Sequence, residues 1–206
     1  MDMTRKYEQR ARAEKQDETR QRIVEAAVEL HGTIGPVATT LSAVAERAGV
    51  QRNTLYRHFP DERSLFMACS GHFFEVNPFP DPTAWVAIAD PVERARHGLR
   101  ELYDFYASTE QTTAHVLRDS EVNGLLREVN TLRTSGPMSA IAEALASGWT
   151  DRPSEFRATL TLALAFGTWQ SLVHDGKLTN DQAAGLMSRM LDVAATDREP
   201  VSSSRG

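Results

Sequence analysis

The chain has 206 residues, of which 41% are hydrophobic and 25% are charged, values that are ordinary for a globular protein with a genuine core. A single cysteine, Cys69, excludes an intrachain disulfide framework and favours a reducing, cytoplasmic location, and no segment resembles a membrane span or a signal peptide. The net charge of −5 argues against a uniformly basic nucleic-acid binder, but it does not exclude a local basic face.

The first part of the chain reads as helices separated by clear breaks. Residues 1–17 are a charged arm, and apolar residues at helical spacing predict a first helix over 18–33, which Gly35-Pro36 ends. Three further helices are predicted over 41–47, 52–58 and 62–76. The segment 77–82 is too rich in proline for a helix, and we expect a loop there.

The second part also shows helical periodicity and no strand pattern, so the sequence predicts an all-α fold. Asp90-Pro91-Val92-Glu93 is a strong helix start, for a helix to about 108. Further helices are expected over 110–119, 122–133 and 137–148, then over 154–174, a segment so apolar that we expect it to be buried on several sides. Thr179 to Gln182 reads as a capping box that opens a last helix to about 195.

These elements predict two domains. The first covers residues 18–76 and the second covers residues 84–196, with the proline-rich loop between them. Residues 197–206 form a polar tail that we expect to be disordered.

The segment from Thr39 to Phe59, TTLSAVAERAGVQRNTLYRHF, has the pattern of a helix-turn-helix. Thr40 is a good N-cap for the helix that begins at Leu41, and Gly49 can take the left-handed conformation of a tight turn. With Val50, Leu55 and Phe59 pointing inward, the outward face holds Gln51, Arg52, Asn53, Thr54, Tyr56, Arg57 and His58.

This outward face carries the side chains that read DNA. Arginine can bind guanine bidentately and asparagine can bind adenine, whereas hydroxyl groups reach phosphates. The alternative interpretation is a solvated helical hairpin in a bundle, because helix-turn-helix patterns arise by chance.

From about Arg20 to Phe74 the sequence resembles the DNA-binding domain of the TetR family of transcriptional regulators. The motifs that carry the resemblance are TTLSAVAERAGV, then TLYRHF, then DERSLF. The resemblance implies an N-terminal three-helix DNA-binding domain with a helix-turn-helix, a linking fourth helix, and a C-terminal helical bundle for ligand binding and dimerisation. It covers about a quarter of the chain.

The resemblance also implies roles for single residues. Thr40 would hold a phosphate and Tyr56 would contact the DNA backbone, while Arg52, Asn53, Thr54, Arg57 and His58 would face the major groove. The family often has a phosphate-binding lysine where this chain has Glu62, so we assign that role to Arg63. Gln51-Arg52-Asn53 departs from the usual start of the recognition helix, which implies an unusual half-site.

The remaining polar residues give no catalytic or metal-binding pattern. The histidines show no HExxH motif or zinc spacing, and neither a phosphate-binding glycine loop nor GxSxG is present, so we expect no enzyme, metal or cofactor. Four residues could line a pocket for an apolar or aromatic effector, although a place in the core or at the surface is the commoner role for such residues: Tyr103, Tyr106, His115 and Trp169. Cys69 is expected to be buried, with a thiol sensor as the alternative.

Together these inferences predict a homodimeric repressor that binds a pseudo-palindromic operator in double-stranded DNA and is released by a small-molecule effector. The predicted dimer seam uses Leu160, Leu164, Leu186 and Met190. An activator of the same fold and a helical adaptor that binds protein partners remain the alternatives.

Overall fold

The structure is a computed structural model that describes residues 2–196, so the tail at 197–206 lies outside the described residues. The described chain is helical and contains no strand, which confirms the all-α prediction. The helices are α1 (Asp2–Thr33), α2 (Leu41–Arg47), α3 (Arg52–His58), α4 (Glu62–Val76), α5 (Pro91–Val122), α6 (Gly124–Ala146), α7 (Ser154–Leu164), α8 (Phe166–Gln170) and α9 (Asn180–Thr196). A 3₁₀ turn (Pro82–Ala87) and a π turn (Ser171–Asp175) complete the secondary structure.

Helix α1 is much longer than the predicted 18–33, because the charged arm belongs to it. No glycine or proline interrupts residues 2–31, and Arg10 pairs with Glu14 one turn later at 3.0 Å. Residues 6–18 are exposed, so this part of the helix has no apolar face. Apolar spacing therefore predicted only the buried half of α1.

The described residues form two compact units that alternate along the chain. The first contains the residues up to 78 together with 109–134, and the second contains 79–108 together with residues from 135 onward. The unit boundaries fall inside α5 and α6. Functional domain limits at 18–76 and 84–196 stay a prediction.

The core of the first unit is formed where α1, α2, α3 and α4 cross. Its fully buried side chains include Ile23, Val44, Leu55 and Phe59. A smaller cluster joins Phe66 of α4 to Leu126 and Val129 of α6. The residues that the helix-turn-helix pattern placed inside are thus the ones that hold α2 and α3 against α1.

The second unit packs the first part of α5 with α7, α9 and the last part of α6. Its largest fully buried side chains are Trp85, Tyr103, Phe156 and Trp169. The buried Arg94 donates to the Ile88 carbonyl at 2.7 Å and to Ser147 Oγ at 2.6 Å. These bonds fix the segment that follows the 3₁₀ turn.

Two predicted helix breaks in the second half are wrong. The helix that follows Asp90 continues to Val122, so the two helices predicted to about 108 and over 110–119 are one helix, α5. The two helices predicted over 122–133 and 137–148 are likewise a single helix, α6. Pro137 lies inside α6 although it has no N–H to donate. Buried residues on both sides of it, among them Val129 and Ile141, stabilise the continuous helix by packing.

The single helix predicted over 154–174 is also wrong, since Ala165 adopts an extended conformation and separates α7 from α8. The break frees the last carbonyl groups of α7. Tyr103 donates its hydroxyl to the Ala163 carbonyl at 2.8 Å, and Tyr106 donates to that of Leu164 at 2.7 Å. Side chains from α5 therefore stabilise a break that no glycine or proline marks.

The helix starts predicted from capping residues are confirmed. Asp90 accepts a hydrogen bond from the Glu93 N–H at 2.8 Å. Thr179 and Gln182 form the reciprocal capping box, with bonds of 2.9 and 3.2 Å. Within the part of the chain that the structure describes, no helix combines the length and the apolar character needed to cross a membrane.

Candidate nucleic-acid interface

The α2–α3 hairpin has the geometry of a helix-turn-helix. Gly49 has a φ of +65°, the left-handed conformation that lets the chain turn tightly between the two helices. Val44 and Ala45 of α2 and Leu55 of α3 are buried against α1, so one face of the hairpin is fixed and the other is free. The hairpin thereby presents α3 as a short, rigid, exposed helix.

Thr40 caps α2 as predicted. Its Oγ1 accepts a hydrogen bond from the Ala43 N–H at 3.1 Å. The acceptor side of the hydroxyl is thus used within the helix, whereas its proton can still be donated to a phosphate oxygen. Neither α2 nor α3 has an acidic residue in its first turn, so nothing there repels a phosphate.

The outward face of α3 carries the predicted DNA-reading residues. Arg52, Asn53, Tyr56 and Arg57 are exposed, and Thr54 and His58 are half-buried. The side chains of Arg52, Asn53 and Arg57, which can donate hydrogen bonds to base edges, therefore project from a helix of seven residues. Their contact with DNA stays a prediction.

Arg52 and Tyr56 are in contact with each other. The guanidinium Nη2 of Arg52 donates to the Tyr56 hydroxyl at 3.0 Å, and its carbon lies 5.5 Å from the ring centroid. This pair holds the arginine along the helix surface. Only one of the five guanidinium N–H groups is used in this bond, and binding a base would compete with the contact to the Tyr56 ring.

The surroundings of His58 favour its neutral form. Partial burial is the main cause that lowers its pKa, and the neighbouring charges of Arg57 and Arg20 lower it further. A neutral imidazole has one donor and one acceptor, so His58 can bind either kind of base-edge group.

Arg63 at the start of α4 already has a protein partner. Its guanidinium makes a bidentate ion pair with Glu128 of α6, at 2.9 and 2.7 Å. The pair lowers the pKa of the Glu128 carboxyl through hydrogen bonding and charge. Arg63 would have to exchange this carboxylate for a phosphate to play the predicted role.

The four candidate ligand-binding residues do not lie together. Tyr103, Tyr106 and Trp169 are buried in the second unit, where the Tyr106 and Trp169 ring centroids are 6.0 Å apart, whereas His115 belongs to the first unit. Each of the four makes a polar contact within the protein. Besides the tyrosine bonds described above, Trp169 Nε1 donates to Asn180 at 2.9 Å, and His115 Nδ1 lies 3.3 Å from the His31 carbonyl oxygen. Effector binding by these residues stays a prediction.

Cys69 is a buried core residue of α4, as expected. Burial raises the pKa of its thiol to about 12. Only a minute fraction is thiolate at neutral pH, so the geometry favours a structural role over a thiol sensor.

Sequence reasoning missed several polar side chains outside the hairpin that hold it in place. Glu29 of α1 pairs with Arg47 at the end of α2, and Asp119 of α5 binds the loop between α1 and α2. Arg133 donates to the Met67 carbonyl of α4 at 2.7 Å. No local motif marks these residues, because each acts on a segment far away in the chain.

Comparison with known proteins identifies other proteins with a similar sequence and a similar fold. A profile of the bacterial regulatory proteins of the tetR family matches residues 23–69, which include all of α2 and α3. The HTH-type transcriptional repressor KstR of Mycolicibacterium smegmatis is 28% identical over 187 residues, which cover 88% of this chain and 87% of that protein.

Solved structures have the same fold over most of their length. A putative TetR-family transcriptional regulator from Rhodococcus sp. aligns with a TM-score of 0.60 and 19% identity, over 87% of this chain and 100% of that one. The transcriptional regulator FadR from Bacillus subtilis, in complex with stearoyl-CoA, aligns with a TM-score of 0.56 and 17% identity, over 85% and 97% of the two chains. Residues 23–69 thus match the tetR family of bacterial regulatory proteins, and the chain is similar to the repressor KstR along nearly its whole length and shares its fold with the solved regulators.

Proposed function

We propose that this protein is a sequence-specific DNA-binding transcriptional regulator, and more narrowly a repressor that a small-molecule effector releases from its operator. The observation that carries the proposal is the α2–α3 hairpin, whose inner face is buried and whose outer face carries Arg52, Asn53 and Arg57. A protein-binding adaptor would have no need for this concentration of base-reading donors on a helix that begins after a tight glycine turn.

Repression is supported by the similarity to KstR, which is named a transcriptional repressor. Its sequence matches this chain well beyond the helix-turn-helix. An activator of the same fold would bind DNA through the same hairpin, so a transcription assay on promoter DNA distinguishes the two. A repressor lowers transcript yield when its site overlaps the promoter.

We propose that the protein is a homodimer, and the exposed apolar side chains of α7 and α9 support this. Leu162, Met190 and Val193 are each more than 40% exposed, and Leu160, Leu164 and Leu186 are half-buried. Two such helices from each protomer would form a four-helix seam around a two-fold axis. Each DNA-binding domain would then read one half of a pseudo-palindrome.

The effector is proposed to bind in the second unit, near the aromatic cluster that contains Tyr106 and Trp169. The surroundings are mostly apolar, so the expected ligand is largely apolar or aromatic. Stearoyl-CoA, which is bound to FadR, is a suitable first probe, since its acyl chain matches that chemistry. Helix α4, which joins the helix-turn-helix to the proline-rich segment, is the expected lever of a population shift between two conformers.

The decisive experiment is a binding-site selection from random duplex DNA with the full chain. We expect enrichment of a pseudo-palindrome, and failure to enrich any sequence would contradict sequence-specific binding. The ligand arm is calorimetry of stearoyl-CoA with and without the selected operator. Because coupling is reciprocal, a releasing ligand must bind more weakly when operator is present, and equal affinities would exclude release by that ligand.

A further inference from the structure

The loop between α1 and α2, residues 34–40, is tightly structured. Gly35 has a φ of +93°, which favours glycine. Thr39 closes the loop on itself, since its hydroxyl donates to the Gly35 carbonyl at 2.8 Å and its N–H to that of Pro36 at 3.2 Å. These bonds tie residues 35 and 36 to Thr39, the neighbour of Thr40, which is the residue proposed to bind a phosphate.

Asp119 of α5 accepts a hydrogen bond from the backbone of this loop. Its Oδ2 accepts the Val37 N–H at 2.8 Å, and its Oδ1 lies 2.8 Å from the Arg118 guanidinium. The Asp119 residue is only 4% exposed. Burying a carboxylate costs free energy unless the group is paired and hydrogen-bonded, and Asp119 is both.

Asp119 is part of a stripe on one face of α5. Thr112, His115 and Asp119 follow one another at the spacing i, i+3, i+7, so they share a side of the helix. His115 Nδ1 lies 3.3 Å from the His31 carbonyl oxygen, one of the last carbonyls of α1 and therefore without a helical partner. A Cβ at Gly32 would lie 3.0 Å from Thr112 Oγ1.

The side chains on this side of α5 lie very close to the end of α1 and to the 34–40 loop. A Cβ at Gly35 would come within 2.5 Å of Arg118 Nη2 and 2.8 Å of Asp119 Oδ2. The two glycines thus allow α5 to contact the end of α1 and the loop without intervening side chains. The contact is short, polar and directional, which is what positioning requires.

We infer that Asp119 is a positioning residue for DNA binding: through the Val37 N–H it sets the 34–40 loop, and through that loop it places Thr40 against the phosphate backbone. This inference rests on the proposed function.

The test is a double-mutant cycle on operator affinity, with the operator obtained by selection with the wild-type protein. We expect Asp119→Ala to raise the operator Kd about 10-fold, since the Val37 N–H loses its acceptor and the loop samples other conformations. Asp104→Ala, which removes an exposed carboxylate of the same helix, is the matched control and should leave Kd unchanged.

The cycle separates positioning from an unrelated effect. If Asp119 acts through Thr40, the double variant Asp119→Ala/Thr40→Ala should bind no more weakly than Thr40→Ala alone. Additive losses, or wild-type affinity for Asp119→Ala, would overturn the inference. If the wild-type protein itself enriches no DNA sequence, the proposed function fails instead.

A second measurement needs no variant at all. If the Val37–Asp119 bond favours DNA binding, then bound DNA must favour that bond to the same extent. We expect hydrogen exchange at the Val37 amide of the wild-type protein to slow when operator is added. Exchange that is equally fast with and without operator would refute the coupling even if Asp119→Ala did not fold.

Discussion

Replacing Arg52 by alanine tests whether α3 reads bases. A bidentate contact between arginine and guanine is worth about 1–3 kcal/mol per half-site. In the free protein, however, Arg52 lies 5.5 Å from the Tyr56 ring, and giving up such an exposed cation–π contact costs about 0.5–1 kcal/mol. The net loss on mutation is therefore about 0–2.5 kcal/mol per half-site, which raises Kd by up to about 70-fold for each half-site that is bound.

The assay combines binding-site selection with fluorescence anisotropy of the selected duplex. Arg52→Ala should relax the preference at one base pair in each half-site, whereas affinity for random duplex should change little. Arg52 is exposed and its loss removes only its contact with Tyr56, so the free energy of unfolding should fall by no more than about 0.5–1 kcal/mol. Arg100→Ala is the charge-matched control, because Arg100 lies in the second unit and pairs with Asp104 at 3.5 Å.

If Arg52→Ala selects the same sequence with the same Kd, then Arg52 does not read a base. If affinity falls equally for every sequence, Arg52 binds phosphate. Either result would refute the reasoning from the outward face of α3.

Three further predictions concern the arm, the dimer and pH. Removing the residues before Glu18 should flatten the fall of log affinity with log salt if the exposed start of α1 binds phosphates, and an unchanged slope would show that it does not. Met190→Glu should give a monomer by light scattering and weaken operator binding, because a single domain reads only half a site; the control Leu132→Glu, in the first unit, should stay dimeric, and a monomer with full operator affinity would contradict the scheme. Burial lowers the pKa of His31 from 6.5 to about 4, so between these pH values the unfolded state binds the extra proton and stability falls as pH falls, by at most about 3 kcal/mol. Urea unfolding at pH 7 and 4.5 measures this loss, which His31→Gln should reduce; equal pH dependence of the two proteins would show that His31 is not its source.

The elements that local chemistry determines could be predicted from the sequence. Thr40, Asp90 and Thr179 all cap helices where expected, and Gly49 has the predicted positive φ. Leu55 is fully buried, which follows from helical spacing alone. In each case the residues that decide the conformation lie within one turn of it.

The features that depend on distant residues could not be predicted. The break at Ala165 is stabilised by two tyrosines about 60 positions earlier, and the continuity of α6 through Pro137 depends on packing. For the site, the outward residues of α3 were identified because they share a short helix. Asp119 was missed because its partner Val37 is 82 positions away and the contact is to a backbone N–H, which leaves no trace in side-chain pattern.

The interleaving of the two compact units limits how far the protein can be treated as modular. A fragment that ends at residue 78 would lack Leu126 and Val129, which cover Phe66, and it would lack the Asp119 acceptor for Val37. During synthesis the first unit cannot be completed until residue 134 has left the ribosome. Chimeras that exchange the helix-turn-helix with that of a similar regulator should therefore carry residues 109–134 along with it.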